Sequence, residues 1–453
     1  MRRVEQKREK FSSSLAVFFA TLSSAVGLGN IWMFPYVVGE NGGAAFIIIY
    51  LSCVLIIGLP TLISEFAIGR SARKNIFRAT SEISGKKGFG AIGILGMLST
   101  YCMLFFYTVV AGWVYLYVFK AIGGAFNGIT IERAAEMFNT VSIGPISPIV
   151  WQFIFLSVAG FILAMGVKSG IEKLTKTLMP LLIALLVLCV FTSLRLPGAM
   201  DGVSFLIKPD FSKVNMGVIL SALGLAFFKL SVGTGTMITY GSYFTDDNNL
   251  ISTGTKVALA DTTVSILAGL AIFPAVFSFG LEPTGGPGLI FNTVPLIFSK
   301  MPGGTILLII FFALTAMAAT MATVSLLEVL TVTFMEEFKL ERKKAIALNI
   351  LIIMIFGSLA ALSANPDGLL AHIKFFDLPM FDLFDVFVSN VLLPINGLLV
   401  VILCGYFVKS GFMKKELTNN GSLKNEKLVH SILIVVRYVT PILISLVFIK
   451  SFF

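Results

Sequence analysis

The stretch Ser24–Pro35 reads SAVGLGNIWMFP and lies inside an apolar run long enough to cross a bilayer. Gly27 and Gly29 interrupt it at mid-depth, and Pro35 lies beyond them. A second stretch, Phe227–Tyr243, reads FFKLSVGTGTMITYGSY and carries Gly233 and Gly235 in the same way. Each glycine loosens a helix by about 1 kcal/mol relative to alanine. Two per segment at mid-depth predict local unwinding. Unwound backbone is tolerated at membrane depth only where it is buried in protein or lines a cavity. The two interruptions fall in the first and sixth apolar segments. That spacing is what an inverted repeat of five helices produces, with a binding site where the two breaks meet.

The rest of the chain fits this frame. Of 453 residues 57% are apolar and 13% charged, and the mean hydropathy is +0.93. A soluble domain is about a quarter charged, so the expectation is an all-α integral membrane protein. Eleven segments each supply the roughly 20 residues that a crossing needs. They run at about 15–38, 43–69, 90–122, 149–166, 172–194, 216–243, 255–281, 303–336, 345–363, 383–408 and 430–449. The first is too long, and too continuous with the second, for a cleaved signal. The expected organisation is a single transmembrane domain over 1–453. It comprises a cytoplasmic gate segment 1–14, repeat one at about 15–194, repeat two at about 216–408, and an eleventh helix at about 430–449.

With the N-terminus inside, the inner segments 1–14, 70–89, 167–176, 244–256, 337–344 and 409–429 hold 24 of the 34 Lys and Arg. This is the positive-inside bias. The net charge of +10 therefore reports orientation, and a nucleic-acid partner is not expected. The partners expected are a small molecule and the lipid bilayer of the plasma membrane. The N-terminus is cytoplasmic and, after eleven crossings, the C-terminus lies outside. The four cysteines form no CxxC pair, and the two histidines, His372 and His430, form no cluster. An enzyme, a resident metal and a cofactor are not expected. Segment 415–427 reads as a polar loop.

The residues around the breaks carry a resemblance. Ala25 through Trp32, Glu40-Asn41-Gly42-Gly43, Glu65 with Gly69-Arg70, Tyr107 and Trp113 match a pattern. So do Ser169-Gly170-Ile171-Glu172, Met179-Pro180, Phe227 through Tyr240, and Gly303-Gly304-Thr305. Together they resemble the neurotransmitter:sodium symporter family, with the LeuT-type fold, over almost the whole chain. Eleven helices is similar to many bacterial members.

The resemblance implies a substrate pocket. A carboxylate would meet the Leu28 and Gly29 N–H groups and the Tyr107 hydroxyl. An amine would meet carbonyls at Ala25 and Phe228 and the Ser231 hydroxyl. Met103, Thr234, Ala322 and Leu326 would line the side-chain pocket. Elementary electrostatics agrees, since broken helix ends offer N–H groups to anions and carbonyls to cations.

The departures from the family pattern are more specific. The first sodium site keeps Ala25, Asn30 and Asp261 but has Lys229 where the family has a hydroxyl residue. Lys229 is about 13 positions from either end of its segment, at 1.5 Å per residue too deep to snorkel. An intramembrane ammonium is a functional candidate by default, and Asp261 is its expected partner. The second sodium site keeps carbonyl positions at Ser23, Val26 and Ala318, but its hydroxyl positions fall on Met321 and Ala322. A hard cation wants oxygens. Thr320 and Thr323 flank that site on the wrong faces of the helix. The outer gate keeps Asp385, with Met33 at the basic position. The inner gate is expected from Arg8 and Glu336, near Ser242 and Tyr243. Gly170 and Pro180 bracket nine residues, a spacing that accompanies local unwinding in relatives. Ser265 stands where chloride-dependent relatives place a serine, and Asp261 supplies a negative charge beside it.

The expectation is a secondary transporter of a small amino acid or related carboxylate, working by alternating access with weak or absent sodium coupling. A proton, the substrate gradient alone and a weak residual sodium site all remain open as the driving force. A conventional sodium-coupled symporter, or a non-transporting receptor or facilitator on the same fold, are the alternatives.

Overall fold

The computed structural model describes residues 9–280, 288–301 and 303–450. Among these, nine helices are long and apolar enough to cross a bilayer. They are Ala44–Ala72, Lys87–Ile122, Ser147–Ala164, Val167–Leu194, Leu250–Ser278, Gly304–Glu337, Arg342–Ser363, Met380–Phe407 and Glu426–Leu446. Segment 1 adds a tenth crossing as a bent pair, Ser14–Ala25 and Gly29–Glu40, with 53° between its halves. Segment 6 consists of Met216–Lys229 and Thr236–Gly241. Neither half is long enough to cross alone, so the eleventh crossing expected from sequence is present only as these two pieces.

The breaks fall where the glycines foretell them. The first helix ends at Ala25, and Val26 is extended (φ −82°, ψ 104°). A Cβ on Gly27 would lie 2.6 Å from the Tyr107 hydroxyl and 2.9 Å from the Ala322 Cβ. Glycine is therefore required there by close approach. In segment 6, Ser231, Gly233 and Gly235 all have positive φ, at 51°, 83° and 80°. A Cβ on Gly233 would lie 2.8 Å from the Leu393 carbonyl oxygen.

Backbone freed by these breaks must find partners inside the protein. It does so with side chains of three neighbouring segments and with Asn30 of segment 1 itself. Leu28 N–H donates to the Tyr107 hydroxyl (2.9 Å) and Gly27 N–H to Asn30 Oδ1 (3.1 Å). Gly233 N–H donates to Glu65 Oε1 (2.7 Å), while its carbonyl accepts from Asn396 Nδ2 (2.6 Å). The Thr234 carbonyl accepts from Thr100 (2.9 Å). Segment 8 packs along segments 3, 5 and 1, and segment 7 along segments 5, 1 and 2. The breaks thus meet in the centre, walled by long unbroken helices.

Segment 5 departs from expectation. A wide turn at Val167–Glu172 leads straight into Lys173–Leu194, which runs helical through Pro180. Gly170 is needed for packing instead: a Cβ there would lie 2.3 Å from the Ile162 carbonyl oxygen in segment 4. The 415–427 stretch is also more than a loop. Helix Phe412–Leu417 brings Glu416 to Arg70 (2.8 Å), and Glu426 opens segment 11.

Candidate functional site

Lys229 is the last residue of its helix before the break, and its side chain is thrown into the space between segments 1, 2 and 7. Its ammonium has three N–H groups and finds three oxygens. It donates to the Tyr50 hydroxyl (2.7 Å), to the Ser265 hydroxyl, and to Asp261 Oδ2 at 3.0 Å. The rings of Phe34 and Tyr50 lie 4.9 and 4.7 Å away, so the aromatic quadrupoles add attraction. Neither Lys229 nor Asp261 has any exposed side-chain surface.

Asn30 ties this pair to the break in segment 1. Its Nδ2 donates to Asp261 Oδ1 (2.6 Å), to the Asp261 carbonyl (3.1 Å) and to Ser265 Oγ (3.0 Å), while its Oδ1 accepts from Gly27 N–H. Ala25, Asn30, Lys229 and Asp261, the first-site positions, therefore lie in one connected region of segments 1, 6 and 7. Desolvating two charges costs several kcal/mol per ion, offset only when their remaining hydrogen-bonding capacity is filled. Here it is filled.

Beside the pair lies an enclosed cavity of about 20 Å³, lined by Ser24, Ala25, Gly27, Gly29, Met103, Tyr107, Phe228, Lys229, Ser231, Ala322 and Leu326. A cavity needs roughly 10–15 Å³ to hold one water, so this one has room for little more than a single water. Leu28 reaches this space through its bond to Tyr107. Thr234 is not in the lining: its hydroxyl donates to the Ser231 carbonyl (2.7 Å) and sits 2.8 Å from Thr236 Oγ1. The Ser231 hydroxyl is already donated to the Ser24 carbonyl (2.6 Å).

At the second-site positions, Ser23, Val26, Ala318, Met321 and Ala322 are all buried. The Ser23 hydroxyl donates to the Ala20 carbonyl, and the Met321 carbonyl accepts from Ser325 Oγ (2.9 Å). Thr320 donates to the Ala316 carbonyl and meets the Tyr115 hydroxyl (2.8 Å), turned toward segment 3. Thr323 Oγ1 is buried without a partner. Among the described residues no group of three or more His, Cys, Asp or Glu is placed to hold a metal.

The described gate residues are each hydrogen-bonded or buried. Arg8 lies outside the described residues. Glu336 accepts from Asn75 N–H (2.9 Å). Tyr243 donates to Glu328 (2.5 Å), which also pairs with Arg342 at 2.5 Å. Asp385 accepts from Ser389 (3.2 Å), and Met33 is buried.

The face around Phe11 and Ser12 is held by contacts that residue spacing does not suggest. Ser12 donates through its N–H (3.0 Å) and its hydroxyl to Glu172, and Lys176 pairs with the same carboxylate (2.6 Å). Val167 N–H donates to Glu9 (3.0 Å), and Phe11 N–H to the Tyr243 carbonyl (3.0 Å). Nearby, the Arg73 guanidinium bonds Asp246 at 2.6 Å and holds its carboxyl below the usual carboxylate range. Asp246 is largely exposed, so that pair is worth under about 1 kcal/mol. Glu65, Glu172 and Glu328 were legible as candidates by one signal: each is a carboxylate within or at the edge of an apolar segment.

The family model described as the sodium:neurotransmitter symporter family matches residues 8–140 and 131–453. The uncharacterized sodium-dependent transporter YhdH of Bacillus subtilis is 35% identical over 449 residues, covering 98% of both chains. An uncharacterized sodium-dependent transporter of Haemophilus influenzae is 34% identical, over 99% of both. The crystal structure of MhsT in complex with L-phenylalanine superposes with a TM-score of 0.92 at 39% identity, over 98% of this chain and 100% of that one.

Proposed function

The chain belongs to the sodium:neurotransmitter symporter family, a family of multi-pass membrane transporters with the LeuT-type fold, and we propose that it carries a small amino acid or related carboxylate by alternating access with little or no sodium coupling. One observation carries the second half of this reading. The Lys229 ammonium, bonded to Asp261, Tyr50 and Ser265, stands where the family's first sodium would be bound. A tethered cation supplies the charge without an ion from solution. Met321 and Ala322 give the second site no hydroxyl oxygen, which a hard cation needs. Chloride is redundant on this reading, because Asp261 already balances the ammonium.

The proposed pocket lies between the two breaks. The substrate carboxylate meets the Leu28 and Gly29 N–H groups and the Tyr107 hydroxyl, which turns from its present bond to Leu28. The amine meets the carbonyls of Ala25 and Phe228 and the Ser231 hydroxyl. Met103, Ala322 and Leu326 line the rest, with Thr234 behind Ser231. The two pieces of segment 6 make one broken crossing, the eleventh. The N-terminus is cytoplasmic, the C-terminus outside, and the membrane is the plasma membrane.

A second reading has support of its own: both bacterial relatives are named sodium-dependent transporters, which favours conventional sodium coupling. Uptake of a labelled amino-acid panel, phenylalanine included, into proteoliposomes separates the two. Equal uptake in sodium and in choline supports the proposal, whereas uptake confined to sodium supports the second reading.

A further inference from the structure

Glu65 is fully buried in the last third of segment 2, two turns before its end at Ala72. Its Oε1 accepts one hydrogen bond, from Gly233 N–H at 2.7 Å, and its Oε2 has no partner. Asn396 of segment 10, 1% exposed, grips the same residue from the other side, donating Nδ2 to the Gly233 carbonyl at 2.6 Å. Its Oδ1 has no partner either. Two buried side chains thus converge on one residue of the segment 6 break, and each leaves an acceptor oxygen unmet. What the site lacks is a donor.

The charged and titratable groups on the elements packed against Glu65 do not supply one: Lys256, Lys414 and Lys415 are exposed, Asp261 is paired with Lys229 and Arg78 with Glu337. Arg70, further along segment 2, is engaged by Glu416, Asn419 and the Asn248 carbonyl. Tyr240 of segment 6 donates to Ser325. Cys404 of segment 10 has its thiol on the Ser64 carbonyl. Arg437 of segment 11 lies over the Tyr406 ring. Among the described residues Glu65 has no ion pair. An isolated carboxylate in such surroundings neutralises rather than stay charged.

We propose that Glu65 holds a proton on Oε2 in this closed state and gives it up during the cycle, so that H⁺ is the coupling ion. The proton binds from water on one side as the carboxylate becomes a carboxylic acid, whose O–H is the missing donor. It leaves to water on the other side when the segment 6 break rearranges and the carboxylate is hydrated. The Glu65–Gly233 bond makes the two events one, because the backbone that must move at the substrate site is the backbone the carboxyl holds. This inference rests on the transport reading above and names the ion that reading leaves open.

The test uses the full-length protein in proteoliposomes. Counterflow exchange of substrate across the membrane, at equal pH, establishes transport by itself. An inward proton gradient of about two pH units should then drive accumulation, with an equilibrium limit of about a hundredfold for one proton per substrate. Glu65→Gln keeps an acceptor for Gly233 and a fixed donor in place of the O–H. It should keep counterflow within about threefold while losing accumulation driven by the proton gradient. Asn396→Ala is the second variant, leaving Glu65 in place and removing the amide that holds the Gly233 carbonyl. It should move the pH midpoint of proton-driven uptake.

Wild-type counterflow with no response to the proton gradient overturns the inference and leaves the transport reading standing. So does proton-driven accumulation that survives Glu65→Gln, an unmoved midpoint in Asn396→Ala, or accumulation driven by sodium alone. No counterflow with any amino acid in the panel overturns the transport reading and this inference with it.

Discussion

Lys229 Nζ lies 3.0 Å from Asp261 Oδ2, with both side chains wholly shielded from solvent. The pair lies beside the break in segment 1, because Asn30 joins Asp261 to Gly27. Charge at this point of the fold is therefore provided and balanced by covalently held groups.

Substrate binding should then not need sodium. Affinities measured by calorimetry in sodium and in a large organic cation should agree. A ligand at a hundred times its dissociation constant stabilises a protein by about 2.7 kcal/mol, so melting temperature gives an independent readout. A tenfold or greater loss of affinity without sodium refutes the prediction.

Breaking the pair should be costly from either end. Removing one partner of a buried ion pair typically costs about 3–5 kcal/mol. Lys229→Met and Asp261→Asn should each lower thermal stability strongly. The double variant should recover part of the loss, because no charge is then left buried alone. Additive effects would mean that the two side chains do not act together.

Sodium dependence should be restorable. Met321→Thr with Ala322→Ser supplies two hydroxyls on segment 8, facing the carbonyl positions Ser23, Val26 and Ala318. Five oxygens suit a hard cation. Sodium should then raise the melting temperature or substrate affinity of the double variant and not of the parent. If the variant binds substrate yet ignores sodium, the missing hydroxyls do not explain the parent's behaviour.

The inner latch should loosen when its carboxylate is neutralised. Glu172 takes two hydrogen bonds from Ser12 and one from Lys176. Hydrogen bonds to a charged group are worth about 1.5–3 kcal/mol each, net. Glu172→Gln should speed amide hydrogen exchange over residues 11–17 by about tenfold, through local opening. Unchanged exchange would show that Phe11, packed on Tyr240 and Tyr243, holds the segment without help.

Much of this protein is written locally. Each helix that crosses the membrane must satisfy its own backbone, so apolar length alone marks it. The breaks at Gly27 and Gly233 were legible for the same reason, since glycine pairs at mid-depth have few other uses. Lys229 stood out because an ammonium that deep cannot reach water.

Other features depended on contacts between distant segments. Spacing suggested that Gly170 and Pro180 loosen segment 5, but Gly170 serves close packing on Ile162. Glu336 accepts from Asn75 and Glu172 from Ser12 across 261 and 160 positions of chain. Glu65 and Asn396 are 331 positions apart in the chain and meet only because both hold Gly233. By itself the sequence determined the membrane fold, its two broken segments and a buried ammonium at Lys229. These follow from residue type and depth, which any single helix displays. The tertiary structure alone decided which oxygens surround that ammonium, which carboxylates hold Ser12 and Tyr243 and which buried oxygens lack a donor. Hydrogen bonding is directional and short in range, and it is set only once segments far apart in the chain have packed together.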